Sequence, residues 1–93
     1  MIKHVYLFKL KDKSKAPEII EKLNTLKEKI PYIQELEVAT DFKGDANSWD
    51  LVQSITFLNM EDFKRFGTDE YHCQIREYMN VMREEGIKID YEI

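Results

Sequence analysis

Ile2-Lys3-His4-Val5-Tyr6-Leu7-Phe8-Lys9-Leu10 opens the chain with a period of two: Ile2, His4, Tyr6, Phe8 and Leu10 share one side of an extended strand. The opposite side is not wholly polar, because Val5 and Leu7 stand between Lys3 and Lys9. A strand with apolar groups on both sides is usually central in its sheet and covered on both faces. One covering layer must come from the rest of the chain, and a second layer is still needed.

Beyond this strand the period changes. From Ser14 to Ile30 the residues Ile19, Ile20, Leu23, Leu26 and Ile30 form a helical stripe, with Glu21, Lys22, Lys27 and Glu28 mostly opposite. Ser14 is placed to cap this helix, Pro17 suits its first turn and Pro31 stops it. Tyr32 to Phe42 alternates again, with Leu36, Val38 and Phe42 on one side, and runs into the turn-rich Lys43-Gly44-Asp45-Ala46-Asn47-Ser48. A third strand follows, with Trp49, Leu51, Ile55 and Phe57 on one face and some apolar content, Val52 and Leu58, on the other. Asn59 and Asp62 form a loose capping box for a short helix carrying Met60, Phe63 and Phe66, which Gly67 breaks. Thr68 then caps a longer helix from Asp69 to Glu85, with Tyr71, Ile75, Tyr78, Met79 and Met82 as its stripe and Gly86 as its C-cap. Ile87, Ile89, Tyr91 and Ile93 alternate with Lys88, Asp90 and Glu92 in the last strand.

The order β-α-β-β-α-β predicts an α+β, ferredoxin-like domain over residues 1–93: a four-stranded antiparallel sheet with helices on one face. Val5, Leu7 and Val52 cannot lie on the helix side with their strand neighbours, so part of the second face is apolar. Two such sheets stacked across a two-fold axis would cover each other, which predicts a homodimer through the sheet faces.

A formal charge of -4 and a pI near 5.2 argue against nucleic acid as a partner, since phosphate neutralisation needs a clustered basic face. Lys9, Lys11, Lys13 and Lys15 span a strand end and a loop, where lysines commonly face water and protect a sheet edge. No apolar run is long enough to span a bilayer, so no membrane partner is expected. Met1-Ile2-Lys3-His4 runs straight into the first strand without a signal-peptide pattern. Cys73 is the one cysteine, which excludes an intrachain disulfide and points to a reducing cytoplasm.

The opening Ile2 to Lys11, the Trp49-Asp50-Leu51-Val52 start of the third strand and the Phe57 to His72 region resemble the stress-responsive A/B barrel domain, or Dabb, family. The resemblance covers essentially the whole chain, and its most specific part is the I/V-x-H-x-x-x-F-K-x-K pattern at the N-terminus. It implies a ferredoxin-like protomer and a homodimer closed into a dimeric α+β barrel. It also implies that His4 lines a pocket. Where the family typically has an aromatic, two residues and then His-Pro-x-His, this chain has Phe66 for the common tyrosine, Asp69 for the first histidine and Glu70 for the proline, and keeps the final histidine as His72. A plant polyketide cyclase of the family uses that tyrosine and final histidine as its acid-base pair. Only the histidine carries over here.

Two readings of each histidine stand side by side. His4 points inward with Tyr6 and Phe8, either as a proton-exchanging group or as a buried imidazole held by backbone or tyrosine. His72 flanks the apolar stripe of its helix, either reaching a cleft or lying half-exposed. Tyr6, Trp49, Phe63, Phe66 and Met79 are candidates to line a cavity for a small apolar or aromatic ligand, and core packing would use the same residues. The histidines with Asp69 or Asp50 have no local metal-site spacing, and no phosphate loop, serine nucleophile or CxxC pair is present, so no metal or cofactor is expected. The sequence thus predicts a ligand-binding or stress-related structural dimer. The alternative is a cofactor-independent enzyme of cyclase, isomerase or monooxygenase type using His4 and His72 as acid and base.

Overall fold

The computed structural model of the chain describes residues 1–93. Its elements are β1 (Ile2–Leu10), α1 (Ala16–Lys29), β2 (Ile33–Thr40), β3 (Leu51–Phe57), α2 (Met60–Thr68), α3 (Glu70–Met82) and β4 (Arg83–Glu92), with a short 3-10 turn at Lys13–Lys15. The four strands form one antiparallel sheet in the order β2-β3-β1-β4, so β1 is central, as its two apolar faces require. This is the ferredoxin-like arrangement.

The register sorts every strand residue between two faces. Tyr6 lies opposite Gln53 and Lys88, and His4 opposite Ile55 and Asp90, all on the helix side. Leu7 lies opposite Val52 and Ile87, and Val5 opposite Ile89, on the outer side. On the helix side Ile19, Leu23 and Leu26 of α1, Ile75 and Met79 of α3, and Phe66 of α2 pack on Phe8, Ile55 and Phe57 in one buried cluster. Each such aliphatic or aromatic side chain contributes about 1.5–3 kcal/mol by leaving water. The outer side has no such cover: Ile87, Ile89, Tyr91 and Ile93 are 54%, 61%, 41% and 60% exposed.

Several boundaries differ from the sequence expectations, each for a local reason. Asp12, not Ser14, caps the turn before α1, because its Oδ1 accepts both the Ser14 amide at 3.0 Å and the Ser14 hydroxyl at 2.6 Å. Pro17 lies in the first turn of α1 as expected. Gly67 stays inside α2, and Asp69, not Thr68, caps α3 by accepting from the amides of Tyr71 (2.9 Å) and His72 (3.1 Å). The helix α3 stops at Met82, and Gly86 is no C-cap: it sits within β4 opposite Phe8. The pull of the β1 ladder wins over local helix propensity from Arg83 onward. Trp49 and Phe42 fall outside the strands, Phe42 being 97% exposed.

The β1–β4 ladder is irregular at one end, where its register shifts: Lys9 pairs with Glu85, but Leu10 pairs with Arg83. By strict alternation Glu84 would stand opposite Leu10. The bulge, which inserts one extra residue in a strand and re-aims its neighbours, turns Arg83 to the helix side instead.

Candidate functional site

Between the sheet and the pair α2 and α3 lies a cavity of about 470 Å3. Its apolar wall comes from Phe8 on β1, Phe63 and Phe66 on α2, and Ile75 and Met79 on α3. Polar groups enter from the sheet as His4, Tyr6, Gln53 and Lys88, and from the helices as Lys64, His72, Arg76 and Asn80, with Arg83 at the junction of α3 and β4. A volume of this size, with an apolar wall and converging polar groups, is that of a small-molecule site.

The ring of Phe66 neighbours both histidines. It stacks on His72 at 3.7 Å between centroids with planes 22° apart, and it stands 6.3 Å from the ring of His4. Phe63 lies 6.4 Å from His4, and Phe57, in the core behind the lining, lies 5.0 Å from Phe66. Tyr6 stacks on Phe8 at 4.4 Å and meets His4 edge-on at 6.0 Å. Such aromatic pairs add to what area burial provides and hold ring orientation.

Both imidazoles are fixed at Nδ1. His72 Nδ1 donates to the Phe66 carbonyl oxygen at 2.9 Å; since a carbonyl only accepts, the proton sits on Nδ1 and neutral His72 keeps an acceptor lone pair on Nε2. Burial is the main cause that lowers its pKa to about 4, with the nearby Arg76 and His4 adding to the depression and the Phe66 bond opposing it. His4 Nδ1 pairs with the Asp90 carboxylate across the β1–β4 ladder. Asp90 in turn lies 3.5 Å from Lys88 Nζ. The phenol of Tyr6 accepts from Arg83 Nη1 at 2.6 Å, and Arg83 Nη2 donates to Asn80 Oδ1 at 3.0 Å. At the N-terminal end of α3, Tyr32 donates to Asp69 at 3.3 Å, and burial together with that carboxylate pushes its phenol up to about 12.

His4, Tyr6, Phe63, Phe66, His72 and Met79, singled out in the sequence, meet around this one cavity. Trp49 does not. It precedes β3, so strand alternation does not govern it, and its ring lies under Lys9 Nζ at 5.0 Å, away from the cavity lining. Sequence reasoning missed Arg83, Lys88 and the Asp90 partner of His4. The signal was the alternation of the last strand, whose polar side, not its apolar side, faces the helices. No set of three or more His, Cys, Asp or Glu gathers where a metal ion could sit, and no helix is long and apolar enough to cross a membrane.

The family model of the Stress Responsive A/B Barrel Domain, Dabb, matches residues 2–93. The chain belongs to the Dabb family. Among solved structures it is similar to a dimeric protein of unknown function with a ferredoxin-like fold from Bacteroides fragilis, at 24% identity and a TM-score of 0.80, covering 99% of this chain and 95% of that one. A Dabb family protein from Mesorhizobium loti is 20% identical with a TM-score of 0.76, covering 99% and 95%. The hydroxynitrile lyase of Passiflora edulis is 18% identical with a TM-score of 0.86, covering 99% and 92%. At these identities the likeness concerns the Dabb fold and not its chemistry. No curated protein matches the chain.

Proposed function

We propose that this Dabb domain binds a small apolar or aromatic molecule in its helix-side cavity and works as a homodimer joined through the outer sheet faces. The observation that carries the reading is the cavity itself: about 470 Å3, with an apolar wall of Phe8, Phe63, Phe66, Ile75 and Met79 and polar side chains around it. The fold has buried fourteen apolar side chains into a packed core, so this space is what the packing leaves open. A catalytic acid-base pair fits less well. Neutral His72 can serve only as a base, through Nε2, and Phe66 offers no hydroxyl beside it as the acid partner.

The exposed stripe Ile87, Ile89 and Tyr91 beside Val5, Leu7 and Val52 supports the dimer, because monomers rarely leave a contiguous apolar face of this kind open to water. The similar Bacteroides fragilis protein is described as dimeric. The unpaired Cys73 suits a reducing cytoplasm, and a stress-related role is supported by the family's description. Titration with phenylnaphthylamine, a neutral apolar fluorophore, tests the ligand reading. Saturable fluorescence enhancement is expected, with affinity about tenfold weaker in a folded Met79→Trp variant whose larger side chain fills the space. Enhancement that is absent, or equal in the variant, refutes it.

A further inference from the structure

We propose that the cavity selects an anionic amphiphile, an aryl- or alkyl-carboxylate whose apolar body lies on Phe63, Phe66 and Met79 and whose carboxylate meets Arg83. This rests on the ligand-binding reading above and narrows its ligand class.

The charge of the lining runs opposite to that of the protein. The chain carries a formal charge of -4, yet the cavity is lined by Lys64, Arg76, Arg83 and Lys88 and by no Asp or Glu. Three of these cations are ordinary. Lys64 and Arg76 are exposed, where water and salt screen them, and Lys88 already lies 3.5 Å from Asp90. Arg83 differs: it is half-buried, and no carboxylate comes within 4.0 Å of it.

Neutral acceptors hold it instead. Nη1 donates to the Tyr6 hydroxyl at 2.6 Å and Nη2 to the Asn80 amide oxygen at 3.0 Å. Each of those bonds uses one hydrogen of a terminal nitrogen, and a guanidinium has five N–H groups in a fixed fork. The fork is therefore oriented while its charge stays uncompensated. Removing a cation from water without an anionic partner is unfavourable, and a carboxylate is the group whose two oxygens match the fork.

The backbone is also built around this side chain. The bulge at Leu10 brings Arg83, rather than Glu84, to the helix side, which exchanges an acid for a base at the cavity. Glycine at position 86 leaves room for it: a Cβ there would stand 2.3 Å from Arg83 Nη1 and 2.5 Å from the Tyr6 ring. Next to this charge the wall is aromatic and aliphatic, so the complementary ligand carries one acid group on an apolar body.

Calorimetric titration of the dimer with phenylbutyrate and with its neutral isostere phenylbutyramide tests the assignment. The carboxylate is expected to bind about tenfold more tightly at low salt, with the preference shrinking as salt rises. In Arg83→Gln the ratio of the two affinities is expected to fall to about one. Equal binding of the two by the natural chain overturns the charge selectivity while the ligand-binding reading stands, and binding of neither overturns both. A carboxylate preference that survives in both Arg83→Gln and Arg83→Met overturns the role of Arg83.

Discussion

Burial draws the imidazole of His72 down to about 4, and the consequence for stability has a definite sign. In the unfolded chain the group titrates near 6.5. Above that value it is neutral in both states and contributes nothing to the pH dependence. As the pH falls from 6.5 toward 4, the unfolded chain takes up a proton that the native state refuses, so stability declines across that window. His72→Gln, which keeps a donor but does not titrate, is expected to flatten this part of the profile. Urea midpoints measured from neutral pH to mildly acidic pH check it, and a variant with the same slope as the natural chain would show that His72 titrates normally. The inward placement of His4 was legible from strand alternation alone. Its Asp90 partner was not, because no local pattern fixes which side of the last strand lies opposite which side of the first.

At the scale of elements, periodicity located all four strands and the helical regions between them, and it failed where tertiary pairing overrode it. Ile87, Ile89 and Tyr91 look like a core face in the sequence, yet the ladder to β1 turns them outward and turns Lys88 and Asp90 toward the helices. A one-residue change of parity moves every side chain to the other face, so the sequence of β4 alone leaves this open. The same strand absorbs Arg83 to Glu85, which the helical pattern had claimed for α3, and Gly86, which it had placed as the C-cap. Gly86 therefore matters for its missing side chain rather than for ending a helix. Gly86→Ala is expected to displace the Tyr6 ring and the Arg83 fork, at a cost of about 1–3 kcal/mol from overpacking. Denaturant unfolding measures that cost. A variant as stable as the natural chain would mean that the Tyr6 ring, stacked on Phe8 at 4.4 Å, moves aside freely.

The whole molecule has two apolar surfaces with different fates. Helices cover one face of the sheet and leave the cavity; the other face keeps Ile89 61% exposed beside the half-buried Val5. The need for a second covering layer was readable from Val5 and Leu7 in the first ten residues, whereas the extent of the patch depended on β4 parity. If a second copy provides that layer, a charge at its middle separates the protomers. Ile89→Lys is expected to sediment as a monomer at micromolar concentration where the natural chain sediments as a dimer, and a dimer that persists in the variant would place the contact elsewhere. The proposed ligand binding belongs to the helix-covered side, and its most direct test is to map backbone amide chemical shifts during titration with phenylbutyramide. Binding in the cavity predicts saturable shifts concentrated at Phe66, Gly67, His72 and Met79, with Ile87 to Tyr91 unmoved; shifts confined to β4, or none that saturate, would contradict it.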